Sequence, residues 1–525
     1  MLISSGRHSL YLQPTPVDMS KKSLLLSGFI LLKFLLQFFL IGTEYELHRD
    51  EYLHIDQGHH LAWGYLSIPP FTSWTSYLIL LLGNSVFWVK FFPALYGALT
   101  MYVVYKAIME LNGKPFALIL GCTCVLFSSL LRLNILYQPN SFDVLCWTTL
   151  YFILLKYYKT ENRNWLYAGA AVFAFGFLNK YNIAFQLAGL APALLMSQQR
   201  TIFTRSAFYF AVCLGFVLVL PNLFWQYNNG FPVIHHMQEL ARTHLVHVKR
   251  GDFLVSQMMF FLGSTVVLVS ALVGLLIFEP FRKYRFLFWS FFFTLSIFMY
   301  LKAKSYYAIG IYPIYLSFGA VYLEQFIERS RKRFLQPVLV AIPVLLFLVS
   351  FDIVHPIHSP AYITEHTEEY KRLGMLRWED GKDHLLPQDF ADMLGWKELA
   401  AKVDSLYARL PDKSKTLVLC DNYGQAGAIN YYSRQHIKAV TFHADYVNWF
   451  DLTIPYQNLI RVKNNGNGQT ELEETSPIFH RSFLADSVTH PYAREYGATI
   501  FCFSGAKTDI RARLQHEIEE VKNSD

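Results

Sequence analysis

Asp50 and Glu51 stand side by side in HRDEYLHIDQGHHLAWGY, shortly beyond an apolar segment that runs from Leu24 to Gly42. Two adjacent carboxylates among histidines, close to a membrane face, suit removal of a proton from an acceptor group, the chemistry a lipid-linked substrate would need. If Asp50 to Ala62 is helical, Asp50, His54 and Gly58 share one face and Glu51 lies beside it. A carboxylate near apolar surface is expected to have its proton affinity raised toward the range of a general base. The alternative is an interfacial amphipathic helix whose charges are only solvated.

Further polar residues recur at the ends of apolar stretches. QPNSFDVLCW places Asp143 at the mouth of a short span, and LNKYNIAF places Lys180 and Tyr181 between two spans. Charge at membrane depth is costly and turns toward a bundle interior or a polar cavity, so Lys180 reads as an anion ligand or as a side chain snorkelling to the interface. His235, His236, Arg242, His244, His247, Lys249 and Arg250 crowd one connection. Such a set would serve metal coordination, phosphate binding or attachment to anionic lipid. LKAKSYYAIGIYP then joins Lys304 to Tyr306 and Tyr307; a lysine is a compact donor for a phosphate. A cavity with one acidic and several basic elements fits glycosyl transfer from a polyprenyl phosphate.

The elements that must position these groups are membrane helices. Of 525 residues, 53% are hydrophobic and 16% charged, against roughly 25% charged in soluble domains; mean hydropathy is +0.25. Apolar stretches of helical length recur near 24–42, 86–108, 116–134, 143–157, 165–178, 183–197, 207–226, 256–278, 286–301, 307–325 and 335–351, which predicts about eleven transmembrane helices. Lys and Arg concentrate in alternate connections, so the positive-inside rule puts the N-terminus in the cytoplasm and the Asp50-Glu51 loop on the outer face. The expected division is a cytoplasmic terminus (1–22), a membrane domain (23–351) and an extracytoplasmic domain (352–525).

From Asp352 onward there are 19 basic and 25 acidic residues, a net −6, against +13 for the rest. The overall +7 therefore marks topology rather than nucleic-acid binding. TLVLC, KAVTFH and ATIFCFSG read as strands, and 386–410 and 507–522 as helices, which makes the tail a small α/β domain. DNYGQAGAINYY offers a Gly-rich turn into a helix but lacks GxGxxG spacing. Cys420 and Cys502 fall at strand ends where a disulfide is permitted by compartment. No CxxC or HExxH spacing indicates zinc; no cofactor is expected, and a divalent metal stays open without being indicated.

HRDEYLHIDQGHHLAWGYLSIPP, QPNSFDVLCW, GFLNKYNIAF, LPNLFWQYNNGFPVIHHMQELARTHL and KSYYAIGIYP, in that order, resemble bacterial glycosyltransferase family 39 proteins. These are relatives of dolichyl-phosphate-mannose protein mannosyltransferases and of the aminoarabinose transferases that modify lipid A. The resemblance implies a GT-C helical bundle and an inverting transfer from a polyprenyl-phosphate sugar donor to an extracytoplasmic acceptor. It implies Asp50 as base, Glu51 as the residue orienting the acceptor or the loop, and Lys304 with Lys180 on the donor phosphate. His54, Asp143, Tyr181, His235, His236, Tyr306 and Tyr307 complete the expected substrate-binding set. Ile68, where many relatives have histidine, and Ala303, where a glycine is frequent, depart from the pattern. The expected setting is a multi-pass protein of the inner or plasma membrane, with membrane lipid as partner and no nucleic acid. A lipid-linked sugar flippase and a membrane-anchored binding protein are the rival readings.

Overall fold

The computed structural model describes residues 16–42, 44–243, 249–466 and 468–524. Each of the eleven apolar stretches coincides with helix. Among the described residues five helices are long and apolar enough to cross a membrane: Lys21–Phe39, Val86–Glu110, Ser206–Asn228, Ser305–Ser330 and Leu335–Val354. A sixth span results if Arg250–Phe260 and Leu262–Ile277, bent by 71°, are joined. Length and composition alone do not confirm the expected count of eleven, since further apolar helices are shorter than a full span. Helices such as Pro115–Leu126 and Ile183–Leu195 have 12 and 13 residues, and each buries about half or more of its side chains against the bundle. A helix covered by neighbours has no need to reach across alone.

Outside the bundle, the acidic segment forms a short helix, Arg49–Gln57, which ends before the expected Ala62. Its N-terminus is closed by a capping box in which His48 Nδ1 accepts from Asp50 N and Glu51 accepts from His48 N, so two otherwise orphaned amides are satisfied. Seven of its nine residues are buried, which excludes a freely solvated interfacial helix. It lies between the bundle and the C-terminal region, and we call it the loop helix.

The C-terminal region folds around a five-stranded sheet: β1 (Thr416–Cys420), β2 (Ala439–Thr441), β3 (Asn458–Lys463), β4 (Phe479–Ser487) and β5 (Thr499–Ala506). The order is β2-β1-β3-β5-β4; β1 runs parallel to β2 and β3, and β5 is antiparallel to β3 and β4. The expected helix over 386–410 is broken into Gln388–Ala391 and Trp396–Ala408. Cys420 pairs with Val462 on β3 and Cys502 with Ile460 on that same strand, so β3 separates the two cysteines and both are free thiols.

DNYGQAGAINYY forms the docking helix Tyr423–Tyr432. Its N-terminal amides are taken by its own cap, since Asn422 Oδ1 accepts from Gly424 N at 3.0 Å and Gln425 N at 3.1 Å. That leaves no anion site of the kind a nucleotide needs. The glycines serve helix packing instead: a Cβ on Gly427 would sit 2.7 Å from both the Tyr446 hydroxyl and Tyr52 Cβ on the loop helix. Tyr52 also meets the docking helix through Tyr432 OH at 3.3 Å. Backbone pairing of Glu46 N with Met393 O (2.8 Å) and Arg49 N with Asp392 O (3.0 Å) adds a second seam. Gly427→Val should loosen this dock at a cost of about 1–3 kcal/mol, typical of overpacking. Thermal unfolding in detergent should show the lowered Tm, and limited proteolysis should release the C-terminal region faster; an unchanged pattern would contradict the close approach.

Candidate active site

The two adjacent carboxylates occupy opposite environments. Glu51 has no exposed side-chain surface. Lys90 Nζ donates to both of its oxygens at 2.7 Å, Tyr137 N donates to Oε1 at 2.6 Å and His48 N to Oε2 at 2.6 Å. With every lone-pair direction taken and no open face, Glu51 fixes the loop helix against the bundle and has no surface to offer an acceptor.

Asp50 keeps 36% of its side chain open. Tyr423 OH donates to Oδ1 at 2.7 Å, and Gln138 Nε2 donates to Oδ2 at 3.0 Å. Burial pushes its carboxyl upward, but His48, the Tyr423 hydroxyl, Arg49 and His54 outweigh that and hold it down at about 2. The expected rise in proton affinity is thus reversed. The cause is three cationic or ring-nitrogen neighbours on its own segment, His48, Arg49 and His54, together with the distant Tyr423 hydroxyl, which favour the ionised form more than desolvation opposes it.

A line of hydrogen bonds leads from Asp50 to Lys180. Lys180 Nζ donates to Asn140 Oδ1 at 2.8 Å, Asn140 Nδ2 to Gln138 Oε1 at 2.9 Å, and Gln138 to Asp50. Lys180 also lies over the rings of Tyr307 (4.2 Å to the centroid) and Tyr306 (5.1 Å), which favours the inward-facing over the snorkelling reading. Lys304 and Tyr306 both lie within electrostatic reach of Asp50. Lys304 Nζ is engaged by Glu379 Oε1 at 2.5 Å. Burial works against the charge of Lys304, and Glu379, Tyr307 and Asp50 more than restore it, raising its proton affinity.

The remaining expected residues are placed differently. His54 is buried on the loop helix with Nδ1 3.1 Å from Gln57 Oε1. Asp143 is buried and accepts from Trp147 Nε1 (3.0 Å) and Asn182 Nδ2 (2.9 Å). The Asn182 amide also holds Tyr307 O at 2.7 Å, so Asp143 secures the wall carrying Lys180 and Tyr307. Tyr181 turns to the Ser206–Asn228 helix, donating to Asn222 and accepting from Gln226, both at 3.0 Å. His235 is exposed on the helix Pro232–Thr243, while His236 comes within electrostatic reach of His443. His244 and His247 lie outside the described residues. Among the described residues, no group of three or more His, Cys, Asp or Glu side chains converges as a metal ion would need.

Sequence reasoning missed Gln138, Asn140, Arg49, Glu379 and Tyr423. The first two lie inside QPNSFDVLCW, where their polarity beside an apolar span was the available signal. Tyr423 had only its place in the Gly-rich segment. A further pair, Asp56 and Asp445, joins the loop helix to the C-terminal region: Asp56 Oδ2 accepts from Tyr446 OH (2.6 Å) and Asn430 Nδ2 (2.7 Å). Asp445 accepts from Gln57 Nε2 and Leu66 N, both at 2.8 Å. Burial raises Asp56 to about 7 and Asp445 to about 6.

Comparison with known proteins places the fold. Residues 67–225 match the dolichyl-phosphate-mannose-protein mannosyltransferase family. The lipid A galacturonosyltransferase RgtD of Rhizobium johnstonii is 26% identical over 218 residues, 39% of this chain and 45% of that protein. The match thus spans less than half of that curated relative. ArnT from Cupriavidus metallidurans in the apo state superimposes with a TM-score of 0.63 at 14% identity, covering 91% of this chain and 98% of ArnT. The same protein bound to undecaprenyl phosphate gives 0.62, with 97% of ArnT covered. The fold is that of ArnT. RgtD is a lipid A galacturonosyltransferase by name, and the family matched over residues 67–225 is one of mannosyltransferases.

Two outcomes test this geometry. Lys90→Met should strand a buried carboxylate and destabilise the protein by about 3–5 kcal/mol, read as a lowered Tm, with partial recovery on adding Glu51→Gln. Full stability in the single variant would contradict the ion pair. Asp56 has a folded-state pKa above its ordinary value, so proton binding favours the folded state and stability falls as pH rises from about 4 through about 7. Asp56→Asn keeps an acceptor for Tyr446 and Asn430, and should therefore raise Tm over the wild type at about pH 8, with the gain shrinking toward about pH 4; a gain independent of pH would contradict it.

Proposed function

We propose that this chain is a membrane glycosyltransferase that moves a sugar from a polyprenyl-phosphate-linked donor to an acceptor glycan, lipid or protein on the outer face of the cytoplasmic membrane. The observation that carries the reading is an ionised, partly open Asp50 sharing one site with Lys180, Lys304, Tyr306 and Tyr307, in a fold shared with ArnT. ArnT has been seen bound to undecaprenyl phosphate, and RgtD acts as a lipid A galacturonosyltransferase; a lipid-linked donor is the counterpart in this reading. The Lys-rich alternate connections support a cytoplasmic N-terminus and an external C-terminal domain following the last span, with domains divided near 351.

In this mechanism the acceptor hydroxyl approaches the anomeric carbon opposite the phosphate. The new carbon–oxygen bond forms as the bond to phosphate breaks, which inverts the configuration. The acceptor proton passes to Asp50, and the lysines balance the charge growing on the departing polyprenyl phosphate. A carboxylate held at about 2 is a weak base toward a neutral hydroxyl. It is nevertheless always in the ionised form, and it receives the proton once bonding to the anomeric carbon has made the hydroxyl acidic.

Incubation of the purified protein with radiolabelled polyprenyl-phosphate sugar and extracted envelope acceptors tests the reading. Covalent transfer supports it; movement of intact lipid without transfer would replace it by the flippase. Asp50→Asn should lower turnover by at least about 10²-fold, the lower range for loss of a general base, while folding and binding of the donor lipid are kept. Wild-type turnover in that variant would remove Asp50 from the role.

A further inference from the structure

We propose that the C-terminal region completes the site: Tyr423 is a positioning residue for Asp50, and Arg49 holds Tyr423 in place. This rests on the transferase reading for its catalytic consequence, though not for the contact itself. Tyr423 OH donates to Asp50 Oδ1 at 2.7 Å across 373 residues of sequence. The Arg49 guanidinium lies over the Tyr423 ring, 4.3 Å from its centroid, a cation–π contact that fixes the ring while the hydroxyl points at the carboxylate. A Cβ at residue 424 would come within 2.6 Å of Arg49 Cγ, so the glycine following Tyr423 makes room for that stack.

The arrangement assigns each oxygen of Asp50 to a different part of the molecule. Gln138, on the bundle, donates to Oδ2, and Tyr423, on the C-terminal region, to Oδ1. A carboxylate tied once at each oxygen is held against rotation while part of its surface stays open. The groups facing it are His48, Arg49 and His54 on its own segment, Tyr423 from the docking helix, and Lys304 and Tyr306 from the bundle. His443, tilted against Tyr423 with ring centroids 5.1 Å apart, completes the wall. Among these side chains and Gln138, Tyr423 and Gln138 are the two that place a hydrogen on the Asp50 oxygens, so removing the Tyr423 hydroxyl frees one oxygen without removing a cation.

Tyr423→Phe keeps the ring for Arg49 and deletes only the hydroxyl. In the full-length protein in detergent, carbodiimide labelling of Asp50, followed by mass spectrometry across a pH series, reads its protonation without any substrate. The labelling midpoint should rise by about one pH unit in Tyr423→Phe, as loss of a charge-assisted hydrogen bond would give; Glu51, having no exposed surface, does not interfere. Tyr432→Phe is the control, because it removes another hydroxyl between the same two helices and should leave the midpoint in place. In the transfer assay Tyr423→Phe should lower kcat about tenfold with the KM for the lipid-linked donor unchanged, and Tyr432→Phe should keep kcat. An unmoved labelling midpoint, or equal effects of the two variants, overturns the proposal. A moved midpoint in Tyr423→Phe, together with a wild-type protein that transfers no sugar, upholds the contact and overturns the transferase reading instead.

Discussion

The site depends on one buried ion pair. Glu51 and Lys90 meet at 2.7 Å with almost no solvent on either side chain, and the same carboxylate collects the amides of Tyr137 and His48. A buried pair of this kind adds little net stability, yet losing either partner is costly, so its value lies in specifying a single arrangement. Here it specifies the orientation of the loop helix. Successive side chains on a helix diverge by about 100°, so turning Glu51 into the bundle leaves Asp50 facing away from Lys90 and toward Gln138, Tyr306 and Tyr423. Two neighbouring carboxylates thereby acquire unlike tasks from geometry alone.

Once Asp50 is aimed, the bundle supplies its setting. The run Lys180, Asn140, Gln138, Asp50 donates in one direction, from an ammonium to a carboxylate. Each bond polarises the next, and the run ends at the partly open Asp50 carboxylate. The side chains that anchor the run are themselves pinned from behind. Asp143 holds Trp147 and Asn182, and Asn182 holds Tyr307 against Lys180. Asp143 therefore does its work one layer away from the open surface.

The sequence made some of this readable and hid the rest for identifiable reasons. Polar residues at span ends stood out because the membrane makes them expensive, and Asp50, Lys180, Lys304, Tyr306 and Tyr307 do gather in one place. Tyr423 stayed hidden because its partner is 373 residues away and its own segment read equally well as a Gly-rich turn. The sign of the Asp50 shift has a different origin: His48, Arg49 and His54 stand within four residues of it in HRDEYLH, and together with the distant Tyr423 hydroxyl they outweigh the burial that the sequence emphasised. Strands β1, β2 and β5 announced themselves as apolar runs. β4 did not, because most of its residues lie on the surface and its sequence alternates weakly. Apolar length indicates a helix without saying whether neighbours already cover it, so the eleven stretches locate helices without numbering the spans.

The two fasteners of the loop helix differ in kind. Toward the bundle it uses an ion pair, Glu51 with Lys90, in which each charge is matched. Toward the C-terminal region it uses Asp56 and Asp445, whose hydrogen-bonded partners are hydroxyls and amides rather than cations. Burial without a matching cation raises both carboxyls toward neutrality, so the hold on the C-terminal side weakens as they ionise, while the bundle side keeps its compensated pair. Asp50 sits where the two fasteners meet, with Gln138 tied to the first and Tyr423 to the second. Its two hydrogen bonds therefore differ in robustness: the contact with Gln138 follows from the folding of the bundle, and the contact with Tyr423 persists only as long as the C-terminal region stays docked.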